Sequence, residues 1–258
     1  MQLPWFSEYK VCGIPETLEP YPNEPTHFFL DKAARDFPKM AAVQLGMELP
    51  YPELKEHADK LAYALASMGI EKGDRVATLL PTSIQFILAD TAISKAGAVH
   101  VPCSFLEAKE SLAQKFTESS PKALIHLDEH LQTAKELTEF MAAPNIITTC
   151  IDDYSCAMAS PVPKGEAQWL MEIIDQAKAE PPRITFDTGR DIETLLFTGG
   201  TTGIAKGCML THRNIVANSL QNKAMLGPVA NTFTGNMSVL LGLPFFHSYG
   251  HGLMHTSI

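Results

Sequence analysis

Gly73-Asp-Arg-Val-Ala-Thr-Leu-Leu-Pro-Thr-Ser83, then Ile84 to Ala96, then Gly97-Ala-Val-His-Val-Pro102, is the stretch that decides the fold. Val76 to Leu80 is a short apolar run of strand length. Pro81-Thr-Ser83 opens a helix over Ile84 to Ala96, Gly97 ends it, and Ala98 to Val101 is a second strand stopped by Pro102. The same alternation continues downstream: a helix over Glu107 to Thr117, a strand over Ala123 to His126, a helix over Glu129 to Met141 and a strand over Ile146 to Ile151. Strand, helix and strand in succession imply parallel neighbours joined by crossover helices, so the fold class is α/β with largely parallel sheets.

Upstream, the first 26 residues hold five prolines and read as an irregular arm. Thr26 is placed to cap a helix over His27 to Phe37, with Phe29, Ala33 and Phe37 on one face. Ala41 to Leu45 reads as a strand and Glu48-Leu-Pro-Tyr-Pro52 as a turn that places Pro52 at a helix start. Leu54, Ala58, Leu61, Leu65 and Met68 then form a helical core stripe closed by Gly69. Between Asp152 and Asp191 the pattern weakens to one helix, Glu166 to Ala179, among four prolines. Glu193 to Thr198 reads as a strand, Thr211 caps a helix to about Met225, and Met237 to Leu241 reads as a further strand. The expected organisation is a first α/β lobe at about 26–151, a seam or insertion at about 152–191, and the start of a second lobe at about 192–258.

At 45% hydrophobic and 19% charged residues, the 258-residue chain is neither disordered, collagen-like nor a disulfide scaffold. A net charge of −9 argues against generic binding to nucleic acid or an anionic membrane. The charge is uneven. From Thr194 to Ile258 there is no Asp or Glu, only Lys206, Arg213, Lys223 and four histidines, so a negatively charged ligand would be tolerated there; buried core is the other reading. Cys12, Cys103, Cys150, Cys156 and Cys208 form no CxxC pair and read as free thiols. The N-terminus lacks a basic and apolar leader, and no run approaches the length of a membrane span. A soluble cytoplasmic protein without a transmembrane segment is expected.

The chemistry concentrates in Leu196-Phe-Thr-Gly-Gly-Thr-Thr-Gly-Ile-Ala-Lys-Gly207, between an expected strand and an expected helix. Glycines let backbone N–H groups approach an anion, threonines add hydroxyls and Lys206 adds charge. A Walker A loop requires Gly-Lys-Ser/Thr, whereas Lys206 stands between Ala205 and Gly207, so that loop is excluded. A turn with one surface lysine is the bland alternative. His247 follows the apolar Leu243-Pro-Phe-Phe run and is either held by backbone at a strand end or free to orient a carboxylate. His247, His251 and His255 recur every fourth residue, but Gly250 and Gly252 interrupt such a helix and no acidic or thiol ligand is near in sequence, which argues against a metal there. Capping and surface contacts account for His212 and Arg213, and Cys208 is expected in the core.

Phe197-Thr-Gly-Gly-Thr-Thr-Gly-Ile-Ala-Lys-Gly207 with Met209-Leu-Thr-His-Arg-Asn214 resembles the AMP-binding signature of the adenylate-forming enzymes, specifically the acyl-CoA synthetases. Leu49 to Leu54, Gly73 to Ala77, Lys95 to Pro102 and Leu243 to His247 resemble further core motifs in the same order, so the likeness spans about Thr26 to the last residues. Gly199 stands where the family usually has Ser, and Ala205 where Pro is frequent. The family's Tyr-Gly-x-Thr-Glu segment, ribose-binding aspartate, hinge and C-terminal lysine domain are not among these 258 residues, so the chain is expected to be the N-terminal portion of the adenylation domain's large unit.

The resemblance implies a carboxylic acid–CoA ligase that forms an acyl-adenylate from ATP and then an acyl-CoA. Fatty acid of long or medium chain, ATP, Mg2+ and coenzyme A are the expected substrates and cofactors. It implies that Thr198, Gly199, Gly200, Thr201, Thr202 and Gly203 hold phosphates with Lys206, that Thr202 shares magnesium, and that Lys206 and His247 serve catalysis. This portion alone is expected to be inactive and to self-associate, with a homodimer as one state and a peripheral place at a membrane as one location. A non-catalytic nucleotide- or acyl-binding module and an enzyme that loads a carrier protein are the competing functions.

Overall fold

The computed structural model describes residues 3–156, 168–198 and 205–258. Its first elements are α1 (Phe6–Val11), α2 (Phe28–Asp36) and an antiparallel hairpin of β1 (Ala41–Gln44) with β2 (Met47–Pro50). α3 (Tyr51–Ser67) follows, with Pro52 in its first turn, where a missing N–H costs nothing. Strands and helices then alternate: β3 (Arg75–Leu79), α4 (Ile84–Lys95), β4 (Val99–Cys103), α5 (Lys109–Ser119), β5 (Ala123–Leu127), α6 (Leu131–Leu137), β6 (Asn145–Thr149), β7 (Gln168–Trp169) and α7 (Leu170–Gln176). β8 (Ile192–Thr198), β9 (Lys206–Thr211), α8 (His212–Met225), α9 (Val229–Phe233) and α10 (Ser248–Ser257) complete the described chain.

Among the described residues seven strands share one sheet in the order β7-β6-β5-β3-β4-β8-β9, parallel throughout except for the pair β8–β9. Side chains alternate between its faces. Val76, Ala123 and Ile125 join the core built by α3 and α4, while Ala77, Leu79, Val101 and Leu124 pack with Leu112 and Phe116 of α5 and Ala134 and Leu137 of α6. The expected parallel α/β architecture is therefore what forms, with helices on both faces of the sheet.

α4 is the centre of the first core. Ser83 Oγ accepts the Phe86 N–H at 3.2 Å to cap it, and Gly97 ends the turn beyond it at φ +71°, a backbone region that L side chains disfavour. All 12 of its residues are buried. Its polar side chains therefore need internal partners. Gln85 donates to the Cys150 carbonyl at 2.8 Å, Ser94 Oγ meets Thr26 Oγ1 at 2.9 Å, and Lys95 Nζ lies 2.5 Å from Asp31 and 2.6 Å from Asp59.

Several local expectations are corrected. Residues 6–11 are helical because the arm's prolines fall on either side of them. Thr26 does not cap α2. Its hydroxyl is drawn inward to Ser94 and its N–H donates to His212 Nδ1 at 3.2 Å. The turn read at 48–52 is instead β2 running straight into α3. Pro102 lies inside β4 rather than stopping it, and β4 meets β8 through a single residue pair, His100 with Thr194, so a missing N–H at 102 breaks no ladder there. The helix read at 129–141 is reduced to α6 between two 3-10 turns, where the Thr138 hydroxyl donates to the Lys135 carbonyl at 2.6 Å. The helix read at 166–179 is the shorter α7, with residues 166–167 outside the described residues. Met237 to Leu241 is not a strand: among the described residues no strand pairs with it, and Leu240 is 97% exposed. No helix of the described residues is long and apolar enough to cross a membrane.

The glycines of α10 serve close packing. A Cβ on Gly250 would stand 2.1 Å from the Pro244 carbonyl oxygen, a backbone atom that cannot swing aside. Gly250→Ala should lower the unfolding free energy by about 1–3 kcal/mol in urea denaturation, while Gly242→Ala, with nothing within 4 Å, should stay within about 0.5 kcal/mol. Equal effects would show that α10 does not press on the 243–247 turn. Lys95→Met leaves Asp31 and the buried Asp59 with only the half-exposed Lys55 and should cost about 3 kcal/mol. Lys55→Met, at the half-exposed end of the same network, should cost about 1 kcal/mol or less by the same measurement.

Candidate functional site

The sequence-derived phosphate segment joins the ends of β8 and β9, which pair antiparallel with Thr198 opposite Lys206. Gly199, Gly200, Thr201, Thr202 and Gly203 lie outside the described residues. Of the flanking pair, Thr198 Oγ1 donates to the Lys206 carbonyl at 3.5 Å, and both residues are exposed. Lys206 is thus the first residue of an edge strand rather than part of a loop leading into a helix, and Cys208 beside it is exposed rather than core. Thr198 sits at the carboxyl end of β8, the end at which Leu79, Cys103 and Leu127 finish β3, β4 and β5. Open α/β sheets bind ligands at that end. A hydroxyl and an unpaired ammonium facing solvent there fit a polyphosphate, and no described carboxylate pairs with Lys206 to compete.

His247 reaches the same end by another route. The Leu243–Phe246 segment is anchored to Thr82, just beyond β3: Thr82 Oγ1 donates to the Leu243 carbonyl at 2.9 Å and accepts the Phe245 N–H at 3.3 Å. The Phe245 ring packs on Phe86 at 5.5 Å, and the Phe246 ring meets Phe105 edge-on at 6.0 Å. His247 then precedes α10. Its N–H donates to the Pro244 carbonyl at 3.1 Å, while its imidazole is exposed and makes no hydrogen bond among the described residues. The ring is therefore not one satisfied by backbone. No hydrogen bond or ion pair joins His247 to the Thr198–Lys206 pair among the described residues.

Thr211 caps α8 as expected, accepting the Asn214 N–H at 3.3 Å. His212 departs from its expected surface place: it is buried, and burial lowers its pKa to about 4, so the ring is neutral and its Nδ1 accepts the Thr26 N–H. Arg213 is exposed, with its N–H donating to the Thr188 carbonyl at 2.9 Å.

Behind His247 lies a cluster that the sequence pattern did not assemble. α10 continues through Gly250 and Gly252, so His251 and His255 share one face, with their Nε2 atoms 3.1 Å apart. Asp90 of α4 places Oδ1 3.2 Å from His251 Nε2 and Oδ2 3.3 Å from His255 Nε2. Glu193 of β8 completes the group, and the four donor atoms lie within 4.8 Å of one another. His247, the third member of the expected histidine face, is not part of it. His100 of β4 backs Asp90, donating from Nδ1 to Oδ1 at 2.8 Å and meeting Thr78 Oγ1 through Nε2 at 2.8 Å. Asp90, the only carboxylate of the Ile84–Ala96 run, was the available sequence signal.

Burial opposes every charge in this cluster. It would raise the Asp90 carboxyl, but His251, His255 and His100 hold it well below the usual carboxylate range. Burial, then Asp90, pushes Glu193 up to about 8. Burial lowers His255 to about 4 and lowers His100, whereas Asp90 overcomes burial to raise His251. The directions favour the charged forms of Asp90 and His251 and the protonated form of Glu193.

The AMP-binding enzyme family model matches residues 30–258. Among curated relatives, a long-chain-fatty-acid–CoA ligase of Bacillus subtilis (strain 168) is 32% identical, the match covering 96% of this chain and 46% of the relative. A feruloyl-CoA synthase of an Amycolatopsis species is 31% identical over 86% of this chain and 40% of its own. A solved long-chain-fatty-acid-CoA ligase from Archaeoglobus fulgidus superposes with a TM-score of 0.73 at 24% identity, covering 94% of this chain and 46% of that one, which shows the shared fold. The chain thus spans about half the length of the curated relatives it matches. With its parallel sheet and a family match over nearly its whole length, the chain belongs to the AMP-binding enzyme family.

Proposed function

We propose that this chain is the N-terminal portion of an ATP-dependent carboxylic acid–CoA ligase acting on fatty acids of long or medium chain. The observation that carries the reading is the Phe197–Asn214 signature, whose described flanks Thr198 and Lys206 stand exposed and free of acidic partners at the carboxyl end of the sheet. Ligase relatives named for long-chain fatty acids support the acid class. The division into lobes at about 26–151 and 192–258 around a seam at 152–191 belongs to this proposal, as do a cytoplasmic location with peripheral membrane contact and a homodimeric state.

In this reading the acid's carboxylate attacks the α-phosphorus of ATP, pyrophosphate leaves, and the thiol of coenzyme A then displaces AMP from the acyl-adenylate. Both steps gather negative charge, so the protein's task is positioning and neutralisation. Thr198, Thr201 and Thr202 offer hydroxyls and Gly199, Gly200 and Gly203 offer backbone N–H groups to the β- and γ-phosphates. Lys206 screens them. Thr202 is the residue of this chain that would hold magnesium, which when bound neutralises phosphate charge. The exposed His247 imidazole, held beside Phe246, orients the substrate carboxylate.

Because Lys206 is exposed, water screens its contact, and the loss on removal falls at the modest end of charge-assisted hydrogen bonds. In the complete enzyme, Lys206→Ala should slow pyrophosphate exchange at limiting ATP by about 10-fold with an unchanged circular dichroism spectrum. Full activity would make Lys206 an ordinary surface lysine. His247→Ala should raise the KM for the acid more than that for ATP and leave stability within about 0.5 kcal/mol, as suits an exposed ring. The chain of residues 1–258 alone should yield no acyl-adenylate; a yield there, or exchange with no carboxylic acid in a panel of fatty and aromatic acids, would overturn the assignment.

A further inference from the structure

We propose that Asp90, Glu193, His251 and His255 form a buried structural zinc site that ties α10 to α4 and β8. Four donors from three elements converge in a place without solvent: His251 is 0% exposed, Asp90 and Glu193 are each 1% exposed, and His255 is 5% exposed. A tetrahedral zinc ion with bonds of about 2.0–2.1 Å separates its ligand atoms by about 3.3 Å. The two imidazole nitrogens stand 3.1 Å apart and His251 Nε2 stands 3.2 Å from Asp90 Oδ1, while His255 Nε2 lies 3.3 Å from the other oxygen, Oδ2. The spacings of 3.1 and 3.2 Å are close to the edges of a ligand tetrahedron. Glu193 supplies the fourth corner, within 4.8 Å of the others.

The orphaned atoms point the same way. Asp90 Oδ2 and Glu193 Oε2 are enclosed without a hydrogen-bond donor, a costly state for carboxylate oxygens. No lysine or arginine pairs with either carboxylate among the described residues. Two carboxylates and two neutral imidazoles around one dication sum to zero charge, which answers the burial of both acids at once. The donor set of nitrogen and oxygen with no thiol suits zinc, and a closed four-ligand site without a free position is structural rather than catalytic. The outer shell is present on one side: His100 holds Asp90 at 2.8 Å and is itself held by Thr78. None of the four donors belongs to the phosphate segment of the sequence, and the proposal does not depend on the proposed ligase activity.

The purified protein, expressed without added metal and dialysed against metal-free buffer, is analysed by plasma mass spectrometry, then stripped with chelator and titrated with Co2+. The expected result is a single equivalent of zinc, the intense visible bands of four-coordinate cobalt saturating at one equivalent and displaced by Zn2+, and a rise in Tm on reloading. His255→Leu and Glu193→Gln should each abolish the bands and the Tm rise. Protein that carries no zinc and gives neither bands nor a Tm rise would overturn the proposal and leave a cluster of hydrogen-bonded imidazoles sharing a proton. Bands that persist unchanged in both variants would place the metal elsewhere and overturn it equally. Should the variants fail to fold, the cobalt spectrum and stoichiometry of the unaltered protein still decide.

Discussion

The total enclosure of α4 is the constraint on which the rest of the structure depends. A helix covered on every side cannot leave a polar side chain unpartnered, and α4 carries Gln85, Asp90, Ser94 and Lys95. Each fixes a different neighbour. Gln85 holds the chain after β6, Ser94 holds Thr26, Lys95 draws α2 and α3 together through Asp31 and Asp59, and Asp90 receives α10. Apolar burial drives the collapse of this layer, while these four side chains select how its elements sit.

The candidate site inherits its placement from that scaffold without sharing its chemistry. The 243–247 segment is pinned by Thr82 at one end and by α10 at the other, so the His247 imidazole is carried to the sheet's carboxyl end by backbone hydrogen bonds and not by any of its own. Thr198 and Lys206 arrive there because β8 runs parallel to β4 and β9 returns beside it. Exposed functional groups on buried, over-determined supports are what a site for a charged ligand requires.

The sequence made the parallel α/β order legible because Val76 to Leu80, Ile84 to Ala96 and Ala98 to Val101 carry their periodicities over enough residues. It failed where tertiary partners decide. Thr26 has the chemistry of a cap but is recruited by Ser94 and His212 across the fold. Lys206 to Thr211 became a strand because β8 offered an edge, and Met237 to Leu241 did not become one for want of a described partner. At the candidate site, the signature supplied Thr198 and Lys206 and the separate Leu243–His247 motif supplied His247. The Asp90 cluster was hidden because its members are 103 and 58 residues apart in sequence, from Asp90 to Glu193 and from there to His251, and because Gly250 and Gly252 looked like helix breakers when they are spacers against Pro244 and Asn218.

The single residue pair between β4 and β8 has a temporal meaning. His100 must wait for Thr194, a partner 94 residues later in the chain, before β4 has neighbours on both sides. In a chain made from its N-terminus, the β4 flank has no strand to meet until Thr194 is present, and closing a loop of that length carries an entropic cost. The flank is short and interrupted by Pro102, which lacks the N–H that a foreign strand would need. The proline that looked like the end of a strand thus protects an unfinished edge until its own partner emerges.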